Sequence, residues 1–257
     1  MIPILKALIP SSLWKRWKNL HDRLDQLDFR LKSLERSFDA IVESPKYTRA
    51  DSVGFNGQAG RKRVFEEIRR AFVFDVMIET GTYLGNTTAY MAETSGLRVI
   101  TCEVDKRFYT VAKTRLSDFD NIQFYLGDSR GFLNYLVDSG MGNKTSFFYL
   151  DAHWYADLPL QEEIVLIAAN WNRFCILIDD FRVPGDEGYG YDSYSSGESL
   201  ELDLIQDSIA RFGLGTFFPA TPSSNENGSR RGCIVLTSPD MTSSITSQCT
   251  SLRVYNA

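Results

Sequence analysis

The sequence predicts an α/β protein whose doubly wound, mostly parallel sheet ends in an antiparallel hairpin and follows a helical arm. Three observations predict this fold. From residue 61 onwards, short apolar runs alternate with segments of helical period, which indicates strands covered by helices on both faces. The first run leads into a glycine-bearing turn that opens a helix. Ahead of residue 45, apolar residues recur at steps of three and four, which is typical of a coiled coil.

Five short apolar runs predict buried strands of a parallel sheet. They are Val73–Glu79, Leu97–Glu103, Ile122–Leu126, Phe147–Asp151 and Cys175–Asp179. Helices are predicted between them, for example at Asn86–Thr94, Arg107–Ser117 and Leu160–Asn170. The antiparallel hairpin is predicted from two runs that flank a polar loop, Gly215–Phe218 and Gly232–Thr237.

The arm, residues 1–45, carries an uninterrupted heptad pattern. Its apolar seam consists of Leu13, Trp17, Leu20, Leu24, Leu27, Leu31, Leu34, Phe38 and Ile41. Pro45 ends the helix, residues 46–60 form a connector, and residues 61–257 form the α/β domain. The strict period favours a coiled coil that joins copies of the chain into a homo-oligomer. The alternatives are a helix packed on its own domain and a helix resting on a membrane surface.

Composition argues against several classes of protein. The 257 residues are 43% hydrophobic and 24% charged, and no stretch approaches the roughly 20 apolar residues of a membrane span. The net charge of −5 disfavours nucleic acid as a partner. The four cysteines are widely spaced and predict buried, reduced thiols. Because the apolar N-terminus also lacks the pattern of a signal peptide, we expect a cytoplasmic protein.

The first predicted strand runs directly into a glycine-bearing turn. Its sequence is Glu79-Thr80-Gly81-Thr82-Tyr83-Leu84-Gly85-Asn86-Thr87-Thr88. Glycine permits close approach of the backbone to a ligand, and the N-terminus of the following helix offers free N–H groups. The spacing ExGxxxG differs from the GxGxxG of dinucleotide-binding folds, and the turn has no GK[ST] phosphate loop. The turn predicts a nucleotide-type cofactor pocket, with a plain tight connection as the alternative.

The next two predicted strands end in acidic residues that suit such a cofactor. Glu103 ends the second strand, where a carboxylate accepts hydrogen bonds from both ribose hydroxyls. Asp128 and Ser129 follow the third strand, where a carboxylate accepts a hydrogen bond from an adenine amino group. The carboxyl ends of parallel strands meet at one edge of a sheet, so these residues predict a single cofactor site. Solvated acids in loops are the alternative.

Between residues 61 and 237 the sequence resembles the class I S-adenosylmethionine-dependent methyltransferases. The resemblance implies a Rossmann-like sheet of seven strands. It also implies that the methionine part of the cofactor lies near Glu79 and Gly81, the ribose on Glu103 and the adenine beside Asp128. The residues expected to bind S-adenosyl-L-methionine are Glu79, Gly81, Thr82, Tyr83, Gly85, Thr87, Glu103, Asp128 and Ser129.

Two segments resemble the metal-dependent O-methyltransferases more narrowly, among them macrolide sugar O-methyltransferases and cephalosporin hydroxylase-like proteins. The segments are Phe148–Trp154 and Ile178–Phe181. The resemblance implies that Asp151, Asp179 and Asp180 hold a divalent cation, usually Mg²⁺. Carboxylates that converge at adjacent strand ends repel one another unless a cation or protons intervene, and oxygen ligands suit magnesium, manganese or calcium. The alternative is that Asp180 caps the next segment and Asp151 is only hydrogen bonded.

His153 and Asp151 are the candidate catalytic residues. His153 lies two residues after Asp151, near enough to act as general base. Asp151 acts through the cation, which lowers the pKa of the acceptor hydroxyl and orients it. The catechol-type pattern has a lysine three residues after the metal-binding aspartate, and Trp154 stands there instead. The identity of the base is therefore open, and a structural role for His153 is the alternative.

The loop after Asp180 suggests the acceptor. Residues 182–194 intersperse tyrosines with acids, and aromatic faces together with carboxylates suit a polyhydroxylated ligand under a closing loop. Tyrosines packed on the domain are the alternative. The sequence thus predicts a metal-assisted O-methyltransferase acting on a hydroxyl of a sugar or sugar-bearing metabolite. The rival hypotheses are a hydroxylase-like enzyme on the same fold and a noncatalytic coiled-coil assembly protein.

Overall fold

The computed structural model describes residues 15–16, 18–21, 23–29, 31–32, 54–152, 158–194 and 197–255. The chain separates into two units, residues 1–43 and 44–257. In the first unit the described residues are helical, and four leucines of the predicted seam are each more than half exposed: Leu20, Leu24, Leu27 and Leu31. The remaining seam positions lie outside the described residues, so the coiled coil stays a prediction.

Eight strands form one sheet in the described part of the second unit. They are β1 Val76–Thr80, β2 Val99–Glu103, β3 Ile122–Leu126, β4 Ser146–Leu150, β5 Phe174–Asp179, β6 Gly215–Pro219, β7 Cys233–Thr237 and β8 Leu252–Val254. Their order is β3-β2-β1-β4-β5-β7-β6-β8, and β1 to β5 pair in parallel. This confirms the mostly parallel α/β sheet.

Beyond β5 the strands of the sheet pair antiparallel. β7 pairs antiparallel with β5 and with β6, so the predicted hairpin is present. The predicted count of seven strands is wrong, because β8 adds an eighth along β6. This strand has only three residues, two of them exposed, and so lacks the apolar run by which the other strands stand out.

Seven α-helices accompany the strands in the described part of the second unit. They are α1 Ala59–Ala71, α2 Asn86–Ser95, α3 Lys106–Arg115, α4 Ser129–Asp138, α5 Leu160–Asn170, α6 Leu202–Phe212 and α7 Thr242–Gln248. Short 3₁₀ turns occur at Phe55–Gly57, Met141–Asn143, Ser223–Asn225 and Pro239–Met241. None of the described helices combines the length and apolar character that a membrane crossing requires.

The core lies on both faces of the sheet, because alternate residues of each strand point to opposite sides. In β4, Phe148 and Leu150 pack in the cluster that includes residues of α4, α5 and α6. Phe147 and Tyr149 pack in the opposite cluster, which includes residues of α1, α2 and α7. Burial on both faces explains why these strands are continuous apolar runs. The four cysteines are buried and form no disulfide, as expected.

Candidate active site

The predicted site residues lie at the carboxyl edge of the parallel strands. Glu79 and Glu103 occupy the ends of β1 and β2, Asp151 follows β4, and Asp179 ends β5. The chain order reverses between the neighbouring strands β1 and β4. Open α/β sheets bind their ligands in the crevice that such a reversal creates.

Glu79 is buried, and two hydroxyl groups hold its carboxylate. Thr88 of α2 and Thr101 of β2 both donate to Oε2, the latter over 2.7 Å. Burial raises the pKa of Glu79 to about 7, although these hydrogen bonds act in the opposite direction. The contacts tie α2 and β2 to the end of β1, so Glu79 fixes the shape of the turn that follows.

The turn between β1 and α2 passes close to the backbone after β4. Gly81 has φ +89°, and a Cβ there would lie 2.2 Å from the carbonyl oxygen of Asp151. Gly85, with φ +78°, caps the start of α2. The Thr82 hydroxyl lies 2.6 Å from that of Thr101 and therefore points into the protein. Both glycines are required by this path, since a side chain is strained at positive φ.

Glu103 accepts two backbone hydrogen bonds. The N–H groups of Tyr83 and Asp105 donate to its two carboxylate oxygens, each over 2.8 Å. Burial raises the pKa of Glu103, and both hydrogen bonds oppose the rise. Thr87 turns away from this side, because its hydroxyl accepts a hydrogen bond from Phe55 N over 3.0 Å. Glu103 and Tyr83 are thus adjacent, while Thr87 anchors the segment before α1.

Asp128 and Ser129 lie at the start of α4. The Asp128 carboxylate caps this helix by accepting from Arg130 N over 2.9 Å, and the Arg130 guanidinium also binds it over 2.8 Å. The hydrogen bonds from Arg130 lower the pKa of Asp128, outweighing its partial burial. Asp128 is therefore an ionised, half-exposed cap, and its contact with adenine stays a prediction.

Glu163 of α5 is a buried acid that the sequence did not single out. Burial raises its pKa to about 7, although the nearby hydroxyls of Ser129 and Thr80 oppose the rise. Glu163 Oε1, Ser129 Oγ and Thr80 Oγ1 are buried without a hydrogen bond of ordinary geometry among the described residues. These three groups form a polar cluster beneath the ends of β1 and β3.

Backbone strain concentrates at this edge. Five described non-glycine residues have positive φ, namely Phe55, Asn56, Tyr83, Asp180 and Arg230. Left-handed backbone is unfavourable for L-residues and persists only where surrounding contacts enforce it, often at functional sites. The strained backbone therefore lies at the same carboxyl edge of the sheet as the acidic residues.

Asp179 is fully buried among hydrogen-bond donors. Its Oδ1 accepts from the Arg61 guanidinium of α1 and from Asp180 N, the latter over 2.7 Å. Its Oδ2 accepts from Asn56 Nδ2 over 3.0 Å and from the Tyr149 hydroxyl. Both carboxylate oxygens are thus engaged by the chain itself, and Asp179 joins α1 to β4 and β5.

Asp180 and Asp192 share one arginine. Arg231 Nε donates to Asp180 Oδ1 over 2.6 Å, and Arg231 Nη2 donates to Asp192 Oδ1. Burial raises the pKa of Asp192, the charge of Asp180 adds to the rise, and Arg231 opposes it. The backbone repeats this pairing, because Asp192 N donates to Asp180 O over 3.0 Å.

Asp151 lies beside these groups. Its backbone N–H donates to Thr80 O over 2.9 Å, which continues the β1–β4 pairing past the end of β4. Burial raises the pKa of Asp151 well above its usual range, the charges of Asp180 and Glu79 add to the rise, and Arg61 opposes it. His153 lies outside the described residues, so its role as general base stays a prediction.

The described acids do not fit a divalent-metal centre. Among the described residues, no group of three or more His, Cys, Asp or Glu side chains is arranged to hold a metal ion. Two of the predicted ligands, Asp179 and Asp180, bind the guanidinium groups of Arg61 and Arg231 instead. In this structure arginines supply the positive charge beside Asp179 and Asp180, and the divalent cation stays a prediction from the sequence.

The loop after β5 packs closely on the domain. Tyr189 is buried, and its hydroxyl donates to Thr221 O over 2.9 Å. The Arg182 guanidinium lies 5.4 Å from the centre of the Tyr191 ring. The alternative hypothesis, in which the tyrosines pack on the domain, therefore describes Tyr189. Asp192 and Tyr194 are partly exposed near Asp151 and Asp180.

Comparison with known proteins defines this fold. No family model and no curated protein sequence matches the chain. The O-methyltransferase from Bacillus cereus in complex with SAH superposes with a TM-score of 0.52 at 14% identity, over 82% of this chain and 90% of that chain. The chain has the class I methyltransferase fold. The O-methyltransferase TomG from Streptomyces achromogenes, involved in tomaymycin synthesis and in complex with SAM, gives 0.50 at 13% identity, over 80% and 88%.

Within this methyltransferase fold, the residues that neutralise the acids are two arginines that the sequence pattern did not single out. Arg61 begins the basic run Arg61-Lys62-Arg63, which favours a solvated surface. Its spacing to Val64, Phe65 and Ile68 nevertheless places it on the apolar face of α1, because residues three, four and seven apart share a helix face. That spacing is the signal that could have revealed a buried arginine. Arg231 lies at the end of a polar loop and carries no comparable signal.

Proposed function

We propose that the protein is an S-adenosylmethionine-dependent O-methyltransferase that acts on a hydroxyl of a sugar or sugar-bearing metabolite. The observation that carries the proposal is the shape of the crevice at the carboxyl edge of a methyltransferase fold. There the Gly81 turn has no side chain facing the β4 backbone, and the Glu103 carboxylate lies beside it. The named function of the solved relatives supports the same reaction class.

The residues present fit S-adenosylmethionine. Glu103 keeps lone pairs for ribose hydroxyls, since each of its oxygens accepts one backbone hydrogen bond. Glycine at residue 81 allows the backbone to approach the methionine part. When bound, the cofactor supplies a sulfonium methyl group, which an acceptor oxygen takes as the carbon–sulfur bond breaks. The chain must orient that oxygen and accept its proton.

Asp151 and His153 are the proposed proton acceptors. Asp151 lies next to the Gly81 turn, and burial raises its pKa well above the usual range of an aspartate, which makes it a stronger proton acceptor. His153 follows it by two residues. We propose that the acceptor lies between Asp151 on one side and Asp192 and Tyr194 on the other, whose partly exposed carboxylate and ring suit a polyhydroxylated compound. A small-molecule or glycan acceptor meets these requirements.

The sequence predicts that Asp151, Asp179 and Asp180 hold a magnesium ion that assists the reaction. The contacts of Asp179 and Asp180 with arginine do not support it, so no step of the proposed reaction is assigned to a metal. The residues that position the acceptor are then those of the chain alone.

A calorimetric titration with S-adenosylmethionine tests the proposal. We expect binding by the wild-type chain and weaker binding by Glu103→Gln, by roughly 1.5–3 kcal/mol, because charge-assisted hydrogen bonds to the ribose are lost. The exposed Asp118 provides the matched control Asp118→Asn, which should bind normally. Equal affinity of folded Glu103→Gln and wild type would refute this cofactor site.

A methyl-transfer assay over a panel of glycosides tests the reaction itself. Release of S-adenosylhomocysteine with a methylated glycoside is the expected result. Hydroxylated product without S-adenosylhomocysteine would favour the hydroxylase-like alternative. Absence of cofactor binding would favour the noncatalytic assembly protein.

A further inference from the structure

Arginine occupies the place where the sequence predicts a cation. We propose that Arg61 and Arg231 take the place of a divalent metal at the carboxyl edge of the sheet, so that the enzyme works without one. This inference rests on the proposed methyltransferase function and deepens it, since it states how the negative charge of the site is balanced and which residues position its acids.

Arg61 is built into the core beneath the site. Its side chain is 1% exposed, and its guanidinium donates to Asp179 and to two backbone carbonyls, those of Arg231 and Gly232. Arginine keeps its charge in proteins, so the buried Asp179 carboxylate always has a cation beside it. Removing either partner would leave the other charge buried without its counterion. Arg61 thus neutralises Asp179 from the protein side.

Arg231 is fixed at both its backbone and its side chain. The Gln58 amide donates to Arg231 O over 2.9 Å and accepts from Arg231 N over 3.2 Å. Its guanidinium spans Asp180 and Asp192. An arginine on a solvated surface would lack these backbone and side-chain hydrogen bonds. Arg231 is therefore a positioning residue that holds two carboxylates in one orientation.

The glycine after Arg231 secures this arrangement. A Cβ at Gly232 would lie 2.1 Å from the carbonyl oxygen of Phe181. The Gly232 carbonyl also accepts from Phe181 N over 3.1 Å and from Arg61 over 2.9 Å. The segment carrying Arg231 is thereby held against the residues that follow Asp180, so the pairing with aspartate is part of the fold.

The charges match those of the ion they replace. Two guanidinium groups bring two positive charges, the formal charge of Mg²⁺, to Asp179, Asp180 and Asp192. A divalent ion at the same place would meet two fixed cations, and at Asp179 it would meet a carboxylate whose two oxygens already accept hydrogen bonds from the chain. The acceptor hydroxyl would then lose its proton directly to a group of the chain, and cation-assisted ionisation would play no part.

Metal titration of the full-length chain tests the proposal. After chelation with EDTA, we expect no change in Tm on adding millimolar Mg²⁺, Mn²⁺ or Ca²⁺, and no heat of Mn²⁺ binding. S-adenosylmethionine affinity and methyl transfer should stay within about twofold of the untreated protein. Arg231→Gln releases Asp180 and Asp192, so this variant should lose Tm and recover part of it when Mn²⁺ or Ca²⁺ is added. A purely structural role for Arg231 would not create that cation dependence.

Arg230→Gln is the matched control, because Arg230 is exposed and donates to Glu226 O over 3.2 Å, away from the aspartates. It should show no cation response. If Arg231→Gln does not fold, Mn²⁺ binding is compared between the wild-type chain and Asp180→Asn. Stoichiometric binding by the wild type that Asp180→Asn abolishes would overturn the proposal. Such binding with intact cofactor affinity leaves the proposed function standing, whereas absent cofactor affinity would count against the function itself.

Discussion

Glu79 and Glu163 are buried acids whose protonation couples to folding. Burial raises the pKa of each from 4.5 to about 7. Between these values the folded state binds more protons than the unfolded state, so the free energy of unfolding falls as pH rises from about 4.5 to about 7. Above pH 7 both states are ionised and the loss is complete. The polar edge therefore makes the domain less stable at alkaline than at mildly acidic pH.

Glu163→Gln should remove the part of the pH-dependent loss of stability that Glu163 causes, because the amide has nearly the same shape and no charge. A pKa rise from 4.5 to about 7 corresponds to on the order of 3 kcal/mol. We expect the variant to gain up to that amount over wild type at pH 8 and little at pH 4.5, as measured by denaturant unfolding at both pH values. The control is Glu162→Gln on the same helix, whose carboxylate is exposed. An equal gain in both variants would contradict the assignment.

The acids of the site were predictable one by one, whereas their partners were not. Glu79 and Glu103 stand out because each is a charged residue that ends an apolar run. The pairing of Asp179 with Arg61 was not predictable, because this donor lies 118 residues earlier in the chain. A single sequence shows which strand end carries a carboxylate, but not which distant cation folds onto it.

The turn between β1 and α2 is the element that most directly shapes the cofactor crevice. Gly81→Ala should destabilise the domain and abolish S-adenosylmethionine binding, because the new Cβ would lie 2.2 Å from Asp151 O. Gly96→Ala is the matched control: Gly96 also has positive φ, at +65°, but has no atom within 4 Å of the added Cβ. The control variant should lose only the roughly 1–2 kcal/mol of stability that left-handed backbone costs an alanine, and it should keep its affinity for the cofactor. Thermal unfolding and calorimetry of both variants measure the difference, and similar losses would show that the close approach is unimportant.

Elements with a strong apolar period were predicted well, and those without one were not. β3 is Ile122–Leu126 and α5 is Leu160–Asn170, both as the sequence predicts. α1 begins at Ala59, inside the range assigned to a connector, because the glycines before it suggest a flexible segment. Phe55 is nevertheless buried there against Phe65 and Tyr149. Tertiary packing outweighs the local signal of Gly54, Gly57 and Gly60.

At the scale of the whole molecule, we predict that the N-terminal arm determines how many copies of the chain associate. Deleting residues 11–44 should convert an oligomer into a monomer and leave the α/β domain folded, because the apolar seam that joins the copies is removed. Light scattering measures the mass, and circular dichroism checks the fold. Replacing Leu20, Leu24, Leu27 and Leu31 by Ser should have the same effect, whereas replacing the exposed Lys18 and Asp25 should not. An unchanged mass after deletion would show that the arm does not join the copies.

The order in which the chain is synthesised matters for the candidate site. Asn56 reaches Asp179 across 123 residues, and Gln58 and Arg61 reach the backbone of Arg231 across 173 and 170. The segment that begins the domain thus cannot complete these contacts until the residues just before β7 have left the ribosome. Until then Arg61 lacks both its counterion and its carbonyl acceptors. Pairings this distant in sequence form slowly, so we expect the charge of Arg61 to be buried only at a late step of folding.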